Sequence, residues 1–380
     1  MEINESRQRI DSIDDEMLSL FLERMNISAQ IAEYKKKKGL PILNKARERE
    51  ILSRMMEKAG EKDAFFAHRL FSGIMDMSKA RQAEMLSDSS TRIAAQAKEL
   101  LSHEEAVFPK SGLIACQGEE GGNSQEACDR LFPQGNILFV KNFDAVFSAV
   151  ESGLCKFGVV PIENSSTGSV RKVYTLLQKH DFCIVRSVRQ WIHNVLLAKA
   201  GTKLSDVRTV YAHHQVISQC ARFLEEHEAI RVVPCDNTAQ AAKLVSEDSS
   251  GSSAAIASRQ CAELYGLSVL AEDVQDSENN YTRFVCVSKK PVMYEGANHI
   301  SMVVSCAHKP GALHEMLAKP AALGVNMIKL ESCPVAGKDF EFVFFLELEA
   351  SLKEPGILPM LEELERDCQE VWFLGSYTEV

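Results

Sequence analysis

Residues 158–170 have the sequence GVVPIENSSTGSV, which joins a short apolar run to a loop of small polar residues. The apolar run is typical of a buried strand, and Glu163 and Asn164 stand at its end. In open α/β sheets, ligand sites form at the ends of strands. This stretch therefore predicts a strand of an α/β sheet with a polar site at its end.

Further apolar runs alternate with helical patterns on both sides of this stretch, and this alternation predicts an α/β fold for the middle of the chain. The predicted strands are Leu113–Cys116, Ile137–Val140, Phe157–Pro161, Cys183–Val188, Val207–Tyr211, Arg231–Pro234 and Phe284–Val287. A glycine-containing turn, 117–121, follows the first strand, and the polar segment 279–283 leads into the last one. One polar turn would be weak evidence, but several strand ends of this kind predict a ligand-binding cleft.

Two of these motifs are specific enough to indicate a family. Residues 112–288 resemble prephenate dehydratase, through Pro161-Ile162-Glu163-Asn164-Ser165 and Thr282-Arg283-Phe284. The resemblance implies two α/β lobes, similar to periplasmic binding proteins, that close over a cleft. It implies a catalytic role for Thr282, which assists loss of the ring hydroxyl, together with Asn164 and Gln215. The substrate-binding residues that it implies are Ser124, Glu163, Thr167, Arg283 and Phe284, with Arg283 anchoring a carboxylate.

The chain departs from the usual pattern of that family at two places. Gly122 and Asn123 stand where a small residue and an aromatic residue are usual, and Ala212 replaces a serine before His213. The loss of a hydroxyl and of an aromatic wall leaves open an impaired dehydratase. We favour an active one, because Thr282, Arg283, Asn164 and Gln215 are all present.

The N-terminal segment has a different pattern. From Glu5 to Lys38 it contains neither proline nor glycine, and its apolar residues follow helical spacing until Gly39-Leu40-Pro41 ends the helix. Such a helix is about 50 Å long, too long to be buried in a domain of under about a hundred residues. We therefore expect an all-helical, intertwined dimer, with further helices over 45–58 and 63–86.

Polar residues of these helices also fall at spacings that group them: Arg24 with Lys35, Asn44 with Arg47 and Glu48, and Ser78 with Gln82. Arg7 lies about 100° around the first helix from Arg24, so only the Arg7 of a partner chain can join Arg24. Taken one at a time, these residues are ordinary surface charges and a capping serine. As a set, they predict a pocket for a small anion.

That set makes residues 1–88 similar to the all-helical chorismate mutase domain of bacterial bifunctional phenylalanine enzymes. The resemblance implies that Arg24, Arg47 and a partner's Arg7 hold two carboxylates, and that Lys35 and Gln82 donate to the ether oxygen. It implies that Glu48 and Ser78 fix a ring hydroxyl and a carboxylate, and Asn44 can accept from a substrate hydroxyl. A pericyclic rearrangement needs the substrate held in one orientation and hydrogen-bond donors directed at the charge that develops. It needs no nucleophile, metal or cofactor.

The last segment predicts strands and helices in the order βαββαβ between His299 and Tyr377, which is the order of a ferredoxin-like sandwich. With Gly311-Ala312-Leu313 and Glu331-Ser332, residues 297–380 resemble the regulatory ACT domain of the same enzymes. The resemblance implies that these five residues bind phenylalanine as a feedback inhibitor. Cys333 replaces the usual arginine, and we expect phenylalanine to bind nonetheless.

Length and composition limit the classes of protein to which this chain can belong. The chain has 380 residues, which suits two or three domains, and a net charge of −10, which argues against nucleic acid as a partner. No apolar run suits a membrane span, the N-terminus is polar, and 11 scattered cysteines form no CxxC pair, so we expect a cytoplasmic protein. The expected limits are 1–88 for the helical domain, 89–111 for a linker, 112–290 for the α/β domain and 297–380 for the ACT domain.

Together these features predict a homo-oligomer, either a dimer or a tetramer, that converts chorismate to prephenate and prephenate to phenylpyruvate without a cofactor. Two alternatives stay open at this point: a mutase with an impaired dehydratase, and a non-catalytic amino-acid sensor. The cationic set of the first helices argues against the sensor. A dehydrogenase is disfavoured, because no GxGxxG turn follows a strand.

Overall fold

The structure is a computed structural model, and it describes residues 3–38, 40, 44–86, 91–277, 279–334 and 342–380. The predicted helix break at Gly39-Leu40-Pro41 lies outside these residues except for Leu40. By spatial clustering the chain forms two compact units. Residues 1–98 and 303–371 make the first unit, and residues 99–302 and 372–380 make the second. The domain limits expected from the sequence stay a prediction.

Two long helices open the first unit. α1 spans Ile3–Lys38 and α2 spans Lys45–Leu86. The two predicted helices after α1 are joined into α2 across a kink at Gly60, whose φ of 73° and ψ of 164° suit glycine because it lacks a Cβ. Lysines 35 to 38 fill the last turn of α1, where cations complement the helix dipole.

The apolar residues of α1 remain largely exposed within one chain. Among the described residues of α1, only Ser28 and Ala32 are buried. The side chain of Ile10 is 55% exposed and that of Leu20 is 66% exposed, and Ile13 and Met17 are exposed as well. Burying an aliphatic side chain contributes about 1.5–3 kcal/mol, so burying these exposed residues against another surface would be strongly favourable.

α3 (Arg92–Ser102) connects these helices to the second unit, where strands and helices alternate. In chain order the elements are β1 (Glu104–Glu105), β2 (Ser111–Gln117), α4 (Asn123–Leu131), β3 (Gln134–Val140), α5 (Phe143–Glu151), β4 (Phe157–Asn164), β5 (Gly168–Ser169), α6 (Arg171–His180), β6 (Cys183–Trp191), β7 (Val195–Ala198), β8 (Thr209–His213), α7 (His214–Gln219), α8 (Ala221–Glu225), β9 (Arg231–Cys235), α9 (Thr238–Glu247), β10 (Ser253–Ala257), α10 (Gln260–Tyr265), β11 (Ser268–Ala271), β12 (Tyr281–Ser288) and β13 (Met293–Tyr294).

These strands form two main sheets, which confirms the predicted α/β fold with two lobes. The first lobe has the strand order β3-β2-β4-β12-β6, with β5 beside β4, and the second has the order β11-β7-β10-β8-β9. After the second lobe the chain returns to the first sheet, where β12 lies between β4 and β6 and runs antiparallel to both. This return places the start of β12 beside the end of β4.

Seven strands of the two lobes overlap with predicted ones, and four were not predicted: β5, β7, β10 and β11. β10 has the sequence SAAIA and is buried along its whole length. Alanine and serine have weak strand propensity, so only packing in the second lobe makes this segment a strand.

The last elements are β14 (His299–Ser305), α11 (Ala312–Ala322), β15 (Asn326–Pro334), β16 (Phe342–Glu349), α12 (Ile357–Asp367) and β17 (Glu370–Tyr377). Their order is the predicted βαββαβ, and their sheet has the order β15-β16-β14-β17. The predicted start of β16 at Phe340 lies outside the described residues.

Residues 378–380, which we name the strap, continue β17 and lie along β6. The backbone nitrogen of Ser187 donates to the carbonyl of Thr378 at 2.9 Å, and that of Val380 donates to the carbonyl of Ser187 at 3.0 Å. These bonds satisfy an edge of the first-lobe sheet, which would otherwise present unpaired backbone groups. They explain why residues 372–380 cluster with the second unit.

Gly375 of β17 is needed where this segment approaches β6. Its φ is +136°, and a Cβ there would collide with the backbone carbonyl of Ile184. Glycine in a strand often marks such a close approach of two backbones.

We therefore expect Gly375→Ala to destabilise the second unit by about 2 kcal/mol or more, because backbone must move to admit a methyl group. Urea unfolding followed by tryptophan fluorescence measures this, since Trp191 and Trp372, the two tryptophans of the chain, both belong to that unit. Ser376→Ala at the next buried position adds no atom and should change the stability by less than about 1 kcal/mol. Equal effects of the two variants would contradict the role given to Gly375.

Candidate active sites

The predicted cleft residues Asn164 and Thr282 meet at the end of two paired strands. They are direct partners in the antiparallel register of β4 and β12. The Asn164 Nδ2 donates to Thr282 Oγ1 at 2.9 Å and to Asn280 Oδ1 at 3.2 Å. The side chain of Asn164 is buried, with 5% exposure, so its amide has a fixed orientation.

The loop after β4 fixes the other end of the same amide. Asn164 Oδ1 accepts from the backbone nitrogens of Ser166 at 3.0 Å and Thr167 at 3.1 Å. An asparagine that binds its own following backbone in this way holds a tight turn. The oxygen is thereby committed to the loop, and the amide nitrogen is left to face Thr282.

The second lobe reaches this cluster through α7. Gln215 Nε2 donates to Thr167 Oγ1 at 3.1 Å, and Gln219 Nε2 donates to Ser166 Oγ at 2.8 Å. His213 caps α7 by accepting from the Gln215 backbone nitrogen at 3.3 Å, and burial, followed by the charge of His214, lowers the His213 pKa. The structure thus brings Thr282, Asn164, Thr167 and Gln215 together.

Sequence reasoning missed three members of this cluster, Gln219, Ser166 and Asn280. Asn280 Nδ2 donates to Gln219 Oε1 at 3.2 Å, which closes a ring of polar side chains. A signal existed for Gln219, because it stands four residues after Gln215 on the same helix face.

Ser124 lies in the first turn of α4. We name the set of Asn164, Ser166, Thr167, Gln215, Gln219, Asn280 and Thr282 the Asn164 cluster. In the described part of the chain no hydrogen bond joins Ser124 to it. The adjacent loop is bound to the second lobe: Ser258 Oγ donates to the Gly121 carbonyl at 2.8 Å. Gly121 has a φ of 90° there, which suits glycine. Of the two altered family positions, Asn123 begins α4 and Ala212 is fully buried in β8.

Arg283, Glu163 and Phe284 are placed differently from the expectation. Successive strand residues point to opposite faces, so Arg283 faces away from Thr282. Its Nη2 lies 3.0 Å from Glu163 Oε2, and its side chain is only 7% exposed. Phe284 packs in the hydrophobic core of the first lobe. This placement argues against direct contact of these three side chains with a substrate at Thr282.

A second polar cluster lies between α1 and α2. Lys35 Nζ donates to Gln82 Oε1 at 3.2 Å, and Gln82 Nε2 donates to Ser28 Oγ at 2.9 Å. The guanidinium of Arg24 donates to the hydroxyl of Ser78. Burial lowers the pKa of Arg24 and of Lys35, and the charge of Glu48 opposes this at Lys35. The structure thus unites four of the predicted residues, and Ser28 is the one that was missed.

The remaining predicted residues of this segment lie at the start of α2 and of α1. Asn44 Oδ1 accepts from the Arg47 backbone nitrogen at 3.1 Å and so caps α2. Arg47 pairs with Glu50 at 2.8 Å, and Glu48 lies 3.3 Å from Lys79 Nζ. Arg7 is exposed on α1, and within the described residues no hydrogen bond or ion pair connects it to Arg24. One chain therefore assembles only part of the predicted anion pocket.

The predicted effector residues lie in the first unit. Gly311 has a φ of 86° and precedes α11, so Ala312 and Leu313 form its first turn. Glu331 and Ser332 lie in β15, and Lys329 Nζ is 3.8 Å from the Glu331 carboxylate. Cys333 is buried, which gives this thiol a place in the core rather than on the surface.

Over the described ranges, no group of three or more His, Cys, Asp or Glu side chains is arranged to hold a metal ion. In the same ranges no helix has both the length and the apolar character needed to cross a membrane. The clusters that remain as candidate sites consist of amides, hydroxyls and cations. Such groups bind and orient a substrate and stabilise developing charge.

Two family models match the chain. The model described as prephenate dehydratase matches residues 114–292, and the model described as chorismate mutase type II matches residues 6–83. The first match covers the two-lobed region with the Asn164 cluster. The second match covers most of α1 and of α2. It includes Arg24, Ser28, Lys35, Ser78 and Gln82, which we name the Lys35 cluster.

Relatives and solved structures are similar to the whole chain or to its two-lobed region. A bifunctional chorismate mutase/prephenate dehydratase from Stutzerimonas stutzeri is 32% identical over 381 residues, which covers 98% of this chain and 96% of that protein. A solved prephenate dehydratase from Arthrobacter aurescens in complex with L-Phe is 30% identical, with a TM-score of 0.64, and covers 70% of this chain and 89% of that one. A solved quorum-quenching acylase, GqqA, has the same identity and TM-score and covers 70% of this chain and 98% of that one. Because that fold carries more than one activity, the full-length bifunctional relative is stronger evidence of function than the fold.

Proposed function

The chain belongs to the family of bifunctional chorismate mutase/prephenate dehydratases, and on that basis we propose which of its residues carry out each reaction. It converts chorismate to prephenate and prephenate to phenylpyruvate in phenylalanine biosynthesis. The full-length similarity to bifunctional relatives carries this conclusion. The sensor alternative is set aside on the same ground. The limits 1–88, 112–290 and 297–380 remain our proposal for the domains.

We assign the mutase reaction to the Lys35 cluster. Chorismate is a dianion, and guanidinium groups match carboxylates in geometry and charge, so Arg24 and Arg47 suit its two carboxylates. The Lys35 ammonium and the Gln82 amide donate to the ether oxygen as its bond to carbon breaks, which stabilises charge that develops in the transition state. Gln82 Nε2 must then turn from Ser28 toward the substrate, while Glu48, Ser78 and Asn44 hold the ring hydroxyl and a carboxylate.

We propose that this site is completed by a second copy of the chain. α1 exposes Ile10, Ile13, Met17 and Leu20, and packing them against a partner helix gains the free energy that one chain leaves unused. Arg7 stands on the same helix, far around it from Arg24. An intertwined homodimer brings the Arg7 of one chain to the Arg24 of the other.

Mixing two inactive variants tests this arrangement. We expect Arg7→Ala and Arg24→Ala each to lose most mutase activity as homodimers, because every site lacks one guanidinium. After unfolding and refolding together, random pairing restores one intact site in each mixed dimer, or about a quarter of all sites. Chorismate consumption measures the recovery.

Mixing either variant with itself is the matched control and should restore nothing. Recovery that is absent in the mixture, with mixed dimers verified by tagged copies, would contradict a site shared between chains. Conversion of added prephenate by the second domain reports whether the refolded protein is intact.

We assign the dehydratase reaction to the Asn164 cluster. In this reaction the bond between the ring and its carboxylate breaks and releases CO₂, the electron pair makes the ring aromatic, and the ring hydroxyl leaves as water after gaining a proton. In the bond from Asn164 Nδ2 the Thr282 oxygen is the acceptor, so its own O–H is available to donate to the substrate. Threonine is a weak acid, so aromatisation supplies the driving force and Thr282 supplies a placed donor. Thr167 and Gln215 line the same cleft.

Replacing the hydroxyl tests this role. Thr282→Ala should lower kcat for prephenate on the order of a hundredfold or more, because the departing hydroxyl loses its donor. Thr282→Ser keeps the donor and should retain a substantial part of the rate. The rate from chorismate to prephenate in the same molecule is the internal control and should not change.

Near-full dehydratase activity in Thr282→Ala would contradict the assignment. If the wild-type chain itself converts chorismate to prephenate and stops there, the impaired-dehydratase alternative is correct, and the changes at Asn123 and Ala212 are its first explanation.

We further propose that residues 297–380 form a regulatory ACT domain that binds phenylalanine. The βαββαβ order and the pair of motifs at Gly311-Ala312-Leu313 and Glu331-Ser332 support this. A solved prephenate dehydratase with L-Phe bound shows that such a relative takes this ligand. Cys333 lies where an arginine is usual and removes a cation that could organise the site.

Calorimetry with phenylalanine tests the regulatory domain. We expect measurable heat at millimolar or lower ligand and a fall in the dehydratase rate, because the backbone turn at Gly311 and the Glu331 side chain do not depend on the missing arginine. Glu331→Ala should weaken binding, while Glu354→Ala, an exposed change between β16 and α12, serves as the control. No heat at millimolar phenylalanine would contradict the proposal.

A further inference from the structure

A row of four charged side chains crosses the first-lobe sheet on the face opposite Thr282. Glu163 of β4, Arg283 of β12 and Arg189 of β6 are consecutive partners in the strand register. Glu379 of the strap follows them, since it forms a bridge with Ser187 beside β6. The order across the sheet is therefore anion, cation, cation, anion.

The two cations in the middle of this row repel each other. Arg283 and Arg189 are directly opposite on adjacent strands, and like charges in that position are destabilising. Arg283 is also almost fully buried, where an uncompensated charge costs most. Anions beside the two guanidinium groups therefore stabilise this register.

Glu379 is placed to compensate both of them at once. Its Oε1 lies 2.8 Å from Arg189 Nη2, and its Oε2 lies 3.7 Å from Arg283 Nη1. Ser187 Oγ donates to Oε2 at 3.3 Å and holds the carboxylate in position. The side chains of Glu379 and Arg283 are 19% and 7% exposed, so water screens their contact less than at an open surface, whereas Arg189 is 53% exposed.

The row lies against the backbone that carries Thr282. Arg283 is the next residue on β12, and the Arg189 guanidinium stacks 5.2 Å over the ring of Tyr281, the residue before Thr282. Repulsion between the two arginines therefore acts on both neighbours of Thr282. A shift of about 1 Å in a catalytic group can cost on the order of a hundredfold in rate.

We propose that Glu379 is a positioning residue for the dehydratase reaction, acting as the counter-charge that lets Arg189 and Arg283 stand opposite each other. The proposal rests on the role given above to Thr282. The strap thus contributes to the first-lobe sheet electrostatically as well as through its backbone bonds. Glu379 itself touches neither substrate nor reacting atoms, because it lies on the other face of the sheet.

Three variants separate charge compensation from simple docking of the strap. Glu379→Gln removes the carboxylate that contacts both cations, so kcat for prephenate should fall on the order of tenfold, with KM changed less than about twofold. Arg189→Gln leaves Arg283 between two carboxylates and should have a smaller effect. The double variant removes the repulsion together with the counter-charge and should return to within about twofold of the wild-type kcat.

Controls come from the same chain. Glu379→Asp keeps the charge and should lose less activity than Glu379→Gln. Glu370→Gln, at the exposed start of β17, should keep the wild-type dehydratase rate. Mutase activity should be equal in all variants, which verifies concentration and folding of the first domain.

If Glu379 only anchors the strap, the double variant should lose more dehydratase activity than Glu379→Gln, because losing Arg189 removes a second contact to the strap. Equal or greater loss in the double variant, or an unchanged kcat in Glu379→Gln, would overturn the proposal. If the wild-type chain produces no phenylpyruvate from prephenate, the dehydratase assignment fails separately. The row is then tested by urea unfolding with tryptophan fluorescence, where a double variant less stable than Glu379→Gln would overturn it.

Discussion

The amide group of Asn164 is the constraint on which the cleft that we assign to the dehydratase reaction depends. Its oxygen accepts from the backbone of Ser166 and Thr167, and its nitrogen donates to Thr282 and Asn280. Because an amide has one acceptor end and one donor end, holding the oxygen in the loop forces the nitrogen toward Thr282. One buried side chain therefore joins β4, the following loop and β12, and Gln215 adds the second lobe through Thr167.

The two clusters that we assign to the two reactions differ in their electrostatics. The mutase cluster holds cations, and burial already lowers the pKa of Arg24 and Lys35 there, so a dianion that enters restores favourable pairing. The cluster that we assign to the dehydratase reaction presents neutral amides and hydroxyls instead, and the charged row with Arg283 lies on the opposite face of the sheet. A neutral cleft does not stabilise a carboxylate that must leave as CO₂, which suits the second reaction.

Local patterns were sufficient for much of the fold. The long helix α1, the βαββαβ order at the end of the chain and seven strands of the two lobes follow from periodicity and from proline and glycine positions. β7, β10 and β11 did not follow, because short alanine-rich or apolar segments become strands only when neighbouring strands supply their hydrogen bonds. The two predicted helices 45–58 and 63–86 meet at Gly60, where the non-helical φ and ψ form the kink within α2.

The sequence by itself determined which residue types are present at the strand ends and helix faces, and hence the Thr282, Asn164 and Gln215 set and the Arg24, Lys35, Ser78 and Gln82 set. Only the tertiary structure decided on which face of the sheet each residue lies, so it separated Arg283 and Glu163 from Thr282. It also decided that Glu379, nearly a hundred residues further along, compensates Arg283. The physical reason is that period and spacing define side-chain direction within one element, whereas pairing between distant segments depends on sheet register and strand order.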